Sequence, residues 1–216
     1  MLNIEIVSDI VCPWCFIGTR RLATAIAQVR TTHPDFVCRK IWRPFFLNPD
    51  TPPQGEPYLP FLIEKFGSRE RVESIFAHVR NAGQAYALDY AFEKIQVRAN
   101  TLQAHRLIAL AQTDGADATP LVDALFAAQF QHGRNVGDRG ELLAIATACG
   151  YPAEAVRVFL AGDDNTLEVR ALEREGRRLG INMVPTFILD GRRIIVGAED
   201  PAVLAAGIRE VLAAQK

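Results

Sequence analysis

Two cysteines three positions apart, Cys12 and Cys15, enclose Pro13 and Trp14. A pair at this spacing can exchange disulfides. One thiolate acts as the nucleophile, and the second thiol attacks the mixed disulfide that forms. The same spacing is also half of a zinc site, but a structural zinc takes about four ligands. Cys38 and Cys149 stand alone, and His33, His78, His105 and His132 show no ligand spacing. Redox chemistry is therefore favoured over a metal site, with inert thiols as the third possibility, and no metal is expected. If Cys12 opens a helix, the free N–H groups and the dipole of that end favour its anion. Cys15 then lies one turn deeper on the same face and is the resolving thiol. Trp14 cannot be core if the dithiol is to be reached, so Pro13 and Trp14 are expected to touch substrate.

The flanking pattern supplies the elements that must hold this pair. Residues 3–7 alternate and are rich in isoleucine, which predicts a strand. After the dithiol, Leu22, Ile26 and Val29 stripe a helix, which Pro13 suits as an opening residue. A second strand is expected over 36–45, completing a βαβ unit. It is this context that favours the redox reading of the cysteines. Pro49, Pro52, Pro53, Gly55 and Pro57 mark an irregular connection. From 58 to 179 the pattern is helical throughout. Starts are marked by a Thr119-Pro120 cap, an Asp138/Glu141 capping box and Pro152. The last helix is striped by Leu167, Ala171, Leu172 and Leu179 and ends at Gly180. Residues 184–196 read as a β-hairpin with a two-residue Asp190-Gly191 turn. Asp200-Pro201 caps a final helix carrying Val203, Leu204, Ile208, Val211 and Leu212. The order predicts an α/β fold: residues 1–48 and 180–216 form one small domain, and 49–179 form an all-helical insertion.

Bulk properties narrow the function. The 216 residues are 49% hydrophobic and 23% charged with a net charge of −1. That suits a soluble globular chain and gives no field that would draw nucleic acid or a membrane surface. The opening MLNIEIVSDI has no basic stretch, and Glu5 and Asp9 break its apolar run, so it does not read as a signal peptide. A cytoplasmic setting is expected, where a close cysteine pair is more often catalytic than structural. Cys38 and Cys149 are expected to be buried structural residues. Arg20-Arg21 and Arg177-Arg178 are expected to be solvated helix faces.

Strand, Cys-Pro-Trp-Cys, helix, helical block, then Val184-Pro185-Thr186 before a hairpin resembles the DsbA family of the thioredoxin superfamily. Residues 8–22 are most similar to its cytoplasmic FrnE-type branch. So are Arg43-Pro44-Phe45, Leu47-Asn48-Pro49, Asn100-Thr101 and residues 104–107. The resemblance implies a thioredoxin fold interrupted by helices, and a cis proline, Pro185, beside Cys12 and Cys15. It also implies a backbone site for substrate at Val184. Two departures stand out. Trp14 replaces the histidine that periplasmic relatives carry between the cysteines. Ile6 stands where many thioredoxin-like proteins place a buried acid, six residues before the first cysteine, so the proton acceptor for Cys15 is open between Asp9 and water. Asn100, His105 and Arg106 could form a polar wall over the dithiol, or only an amphipathic helix start capped by Asn100.

The expected substrate is a disulfide-containing protein or a small thiol, with no cofactor other than glutathione as a possible co-substrate, and the chain as monomer or homodimer. The 2-hydroxychromene-2-carboxylate isomerases and kappa-class glutathione transferases share this architecture, which keeps a glutathione-dependent isomerase or transferase as the alternative. A holdase using an exposed aromatic groove is a third reading.

Overall fold

Leu2, Ile4 and Ile6 alternate along strand β1 (Leu2–Ser8) and are each at most 1% exposed. A strand buried this way must lie inside a sheet. In the computed structural model, which describes residues 1–214, β1 is central. β2 (Cys38–Pro44) pairs parallel to it on one side, and β5 (Thr186–Leu189) pairs antiparallel on the other. β6 (Arg193–Val196) completes the order β2-β1-β5-β6. Residues 215 and 216 of the expected terminal domain lie outside the described residues. Helix α1 (Pro13–Thr32) connects β1 to β2 and buries Phe16, Ile17, Leu22, Ala25, Ile26 and Val29. It packs against α9 (Pro201–Ala213), whose cap, Asp200, accepts the Ala202 N–H as its sequence predicts.

Between β2 and β5 run α2 (Tyr58–Phe66), α3 (Arg69–Gln84), α4 (Leu102–Ala111) and α5 (Thr119–Phe130). They are followed by α6 (Arg139–Ala148), α7 (Ala153–Ala161) and α8 (Thr166–Arg178). The expected α/β fold with a helical block is therefore present. One buried cluster runs through the sheet, α1 and α3 to α7, with Phe16 of α1 stacked on Phe126 of α5 at 5.1 Å between ring centres. No helix among the described residues is long and apolar enough to cross a membrane.

The structure corrects several local expectations. The stretch 58–179 is not helical throughout. α3 gives way to a loop at Ala87 (φ 53°), followed by a 3-10 turn (Phe92–Lys94) and strand β4 (Val97–Arg98). β4 pairs with β3 (Glu56–Pro57), and the buried Arg98 guanidinium ties them by its bridge to Glu56. Two-residue strands are too short to show a period. Asp117, not Thr119, accepts the Thr119 N–H at the start of α5. Asp138 does cap α6, but Glu141 turns away to Arg134 instead of closing the box. Leu167 and Leu179 of α8 are exposed, because its packed face is narrow and holds Val169 and Glu173. In the hairpin, Asp190 and Gly191 both have positive φ, but Arg192 also stays out of the ladder, which restarts at Leu189–Arg193.

Gly18 is where α1 meets the second half of the chain. A Cβ there would stand 2.9 Å from Pro185 Cγ and 3.2 Å from Phe187 Cζ. Replacing Gly18 with Val is expected to cost about 1–3 kcal/mol through overpacking, read as a lower urea midpoint at unchanged slope. A wild-type midpoint would show that this contact yields freely.

Candidate functional site

Cys12 occupies the N-cap position of α1 with extended backbone (φ −98°, ψ 109°), and Pro13 follows in the first turn. No side chain caps this helix, so its N-terminal field acts on the cysteine itself. The turn is held from three sides. The Cys12 N–H donates to the Asp9 carbonyl at 3.0 Å, and the Cys15 N–H donates to the Cys12 carbonyl at 3.0 Å. The Tyr90 hydroxyl donates to the Pro13 carbonyl at 2.7 Å. The Val184–Pro185 bond is cis, and the Cys12 thiol points to the Val184 carbonyl, 3.8 Å from its sulfur. All four cysteines are free thiols.

The two thiols differ in surroundings. Cys12 is 4% exposed and Cys15 fully buried, so the first cysteine is far less open than a bare helix start suggests. Burial pushes the Cys15 thiol well above the usual cysteine range, and Cys12 beside it adds to the shift. The Ser8 hydroxyl and the Asp9 backbone pull more weakly the other way. At neutral pH Cys15 is therefore a protonated thiol.

A cavity of about 400 Å³ opens beside Cys12. Trp14, Tyr58, Phe61, Phe76 and Val184 give it apolar walls, with Lys65 and Arg98 as its cations. Burial pushes the Tyr58 hydroxyl well above its ordinary range. Trp14 is half-buried, its ring 5.4 Å from that of His78. Cys12, Pro13, Trp14 and Val184 thus lie together on one surface.

Asn100, His105 and Arg106 form no polar wall over this cavity. Asn100 does not line this cavity. Its Nδ2 donates to the Thr51 carbonyl at 2.7 Å and its Oδ1 accepts the Leu102 N–H, while Thr101 takes the cap position. Arg106 is fully buried and turned to the helices, donating to the carbonyls of Asp164 (2.6 Å) and Phe159 (3.2 Å). His105 turns to Asp9, three residues before Cys12, and not to the cavity. Its Nε2 lies 3.3 Å from Asp9 Oδ1, and the two residues are 5% and 1% exposed. Asp9 Oδ2 also accepts the Leu47 N–H at 2.8 Å. The inward side of α4 is set by packing, and residue spacing alone does not show which polar side chains it buries.

Other expectations also shift. Cys38 and Cys149 are half-buried, not fully buried, and partial burial raises both thiols. Arg20, Arg21 and Arg177 are anchored and not merely solvated. Arg20 bridges Asp123 at 2.8 Å, Arg21 donates to the Ala198 carbonyl, and Arg177 binds Glu173 and the Phe46 carbonyl. Sequence reading missed Tyr90 entirely. Its approach depends on Gly83, where a Cβ would stand 2.6 Å from the Tyr90 ring. A glycine inside a helix is the one signal that could have pointed to a close neighbour. No group of three potential metal ligands lies together among the described residues.

Comparisons with known proteins agree with this geometry. Residues 3–209 match the DSBA-like thioredoxin domain family. A probable DsbA oxidoreductase, SCO1869 from Streptomyces coelicolor, superposes with a TM-score of 0.89 at 31% identity, over 99% of this chain and 91% of that one. The cytosolic disulfide reductase DsbM from Pseudomonas aeruginosa, solved with GSH, gives 0.64 at 17% identity, over 99% and 98%. A 2-hydroxychromene-2-carboxylate isomerase gives 0.64 at 14% identity, over 99% and 97%. The last two likenesses are of fold.

Alkylation of the native, reduced protein near neutral pH should label Cys12 first, as mapped by peptide mass. Cys15 should label only as pH climbs past the ordinary cysteine range, because its proton is held by burial. Early labelling of Cys15 would contradict the buried thiol described above.

Proposed function

Because the chain belongs to the DsbA-like thioredoxin family, we propose that it is a cytoplasmic thiol–disulfide oxidoreductase working through Cys12 and Cys15. The observation that carries this reading is the placement of Cys12 at the start of α1, 3.8 Å from the Val184 carbonyl and on the wall of an apolar cavity, with Cys15 buried behind it. The Cys12 thiolate attacks a substrate disulfide. A Cys12–substrate S–S bond forms and the first substrate thiolate leaves. Cys15, once deprotonated, attacks the Cys12 sulfur, and the second substrate thiolate leaves as Cys12–Cys15 forms. The substrate gains two electrons that the dithiol loses, and the reverse sequence oxidises a substrate dithiol. The second step is intramolecular and so runs at high effective concentration.

The backbone of Val184 supports docking of an extended chain beside Cys12 by strand-like hydrogen bonding. The apolar cavity supports a protein segment or small thiol with an apolar body, held against Trp14. A glutathione-dependent isomerase or transferase is the second reading. It is favoured by the depth of that cavity next to a single outward thiol, and by the fold shared with the isomerase and with the glutathione-bound reductase. Glutathione would then be a co-substrate.

Replacing Cys15 with Ser should leave mixed disulfides trapped on Cys12, visible as gel shifts that reductant reverses. Replacing Cys12 with Ser should abolish exchange with a disulfide substrate. Full exchange by the Cys12→Ser variant would sink the dithiol reading, and glutathione-dependent isomerisation surviving both replacements would favour the second.

A further inference from the structure

On the reading that Cys12 and Cys15 form the working dithiol, resolution needs the Cys15 proton removed, and the sulfur is sealed from solvent. The position that many thioredoxin-like folds give to a buried acid holds Ile6, itself 1% exposed. Something else must take the proton.

A second, rear cavity of about 290 Å³, which shares no lining residue with the apolar one, lies between β2, α4 and α8. Ser8, Trp42 and His105 line it. The Ser8 hydroxyl and the Trp42 indole N–H are buried with no hydrogen-bond partner among the described residues. Two such groups on the wall of one space of this size are what internal water satisfies. The Ser8 hydroxyl is also the one side chain that acts on the Cys15 thiol against its burial, without a hydrogen bond to the sulfur in this geometry. His105 is held by Asp9 through Nε2 (3.3 Å), while no partner engages its Nδ1 among the described residues. Asp9 itself is fixed by the N–H groups of Leu47 and Cys12, the latter on its carbonyl.

We infer that the Cys15 proton leaves through this rear cavity, from the Ser8 hydroxyl through water to His105, with Asp9 as the residue that positions the imidazole. As Cys15 attacks, its S–H proton passes to the Ser8 oxygen. Ser8 gives its own proton to cavity water, which hands one to His105 Nδ1. The Cys15 electron pair forms the bond to the Cys12 sulfur, and the pair from the broken Cys12–substrate bond leaves on the substrate thiolate. Burial of Cys15 makes such a route necessary at neutral pH. Arg39, Lys40 and Arg43 of β2 and Glu168 of α8 are the charged groups lining the same cavity. Arg43 is bridged to Glu5, and Lys40 is engaged by Asp117 and Thr119. On the front side Cys12 and Tyr90 face the reacting sulfur.

The test separates the two chemical steps. The reduced protein is mixed with the aromatic disulfide 5,5′-dithiobis(2-nitrobenzoate), and release of the coloured thiolate is followed by stopped flow. The first burst reports attack by Cys12, and the second reports resolution by Cys15. The ratio of second to first burst rates in the wild type, followed across pH, is the reference. Ser8→Ala and His105→Phe should each lower that ratio at neutral pH by about tenfold or more. They should also make it climb into the alkaline range. Asp9→Asn should fall between, and Ser8→Thr should restore the wild-type profile. Ser8→Ala removes one atom from a packed site, so it reads out even if a larger change at His105 unfolds the chain. A wild-type ratio and pH profile in Ser8→Ala would overturn the relay. Absence of any first burst in the wild type would instead overturn the dithiol reading itself.

Discussion

The start of α1 is pressed against the Val184–Pro185 turn, and the site depends on that contact. It joins residues 172 positions apart in the chain, through the Cys12 thiol and the Val184 carbonyl. It closes only because Gly18 leaves room for the Pro185 ring one and a half turns along the helix. β1 must then pair with β5 as well as with β2, since that pairing carries Pro185 to the helix. The helical block is free to leave the sheet after β2 so long as it returns β5 to this position.

That contact divides the surroundings of the dithiol in two. In front, aromatic side chains and the Val184 backbone meet Cys12, so the nucleophile faces an apolar space where a substrate body can displace water. Behind, Cys15 is acted on by Ser8, with the His105–Asp9 pair beyond, all of them buried polar groups. Two thiols one helical turn apart therefore have different tasks because they face different media. Burial keeps the inner thiol protonated until it is needed, while the field of the helix end acts on the outer one. Tyr90 holds the turn between them by its bond to Pro13, and α5 supports the same turn through the Phe16–Phe126 stack. The helical block thus acts as the wall of the site as well as a neighbour to it.

The residues that sequence by itself determined are those whose roles are local or carried by a resemblance. The spacing of Cys12 and Cys15 after a buried strand places a dithiol at a helix start, because a cap is read from a few consecutive residues. Asp138, Asp200 and Gly180 were legible for the same reason. Pro185 was reached through the family pattern and could not have been reached from its own neighbours. What only the tertiary structure decided are the faces that meet across long separations. Arg106 and His105 are adjacent on α4, yet one is buried toward α7 and the loop that follows it and the other reaches Asp9. Their order along the chain does not say which. Tyr90 carries no motif at all, Ser8 opens the resembling stretch without any role being legible for it, and the β3–β4 pair is too short to show a period. A residue's type fixes what chemistry it can do. Which group it touches, and how much water is left around it, is fixed by packing between elements distant in sequence, and so Asp9 and His105 could be named from the chain while their pairing could not.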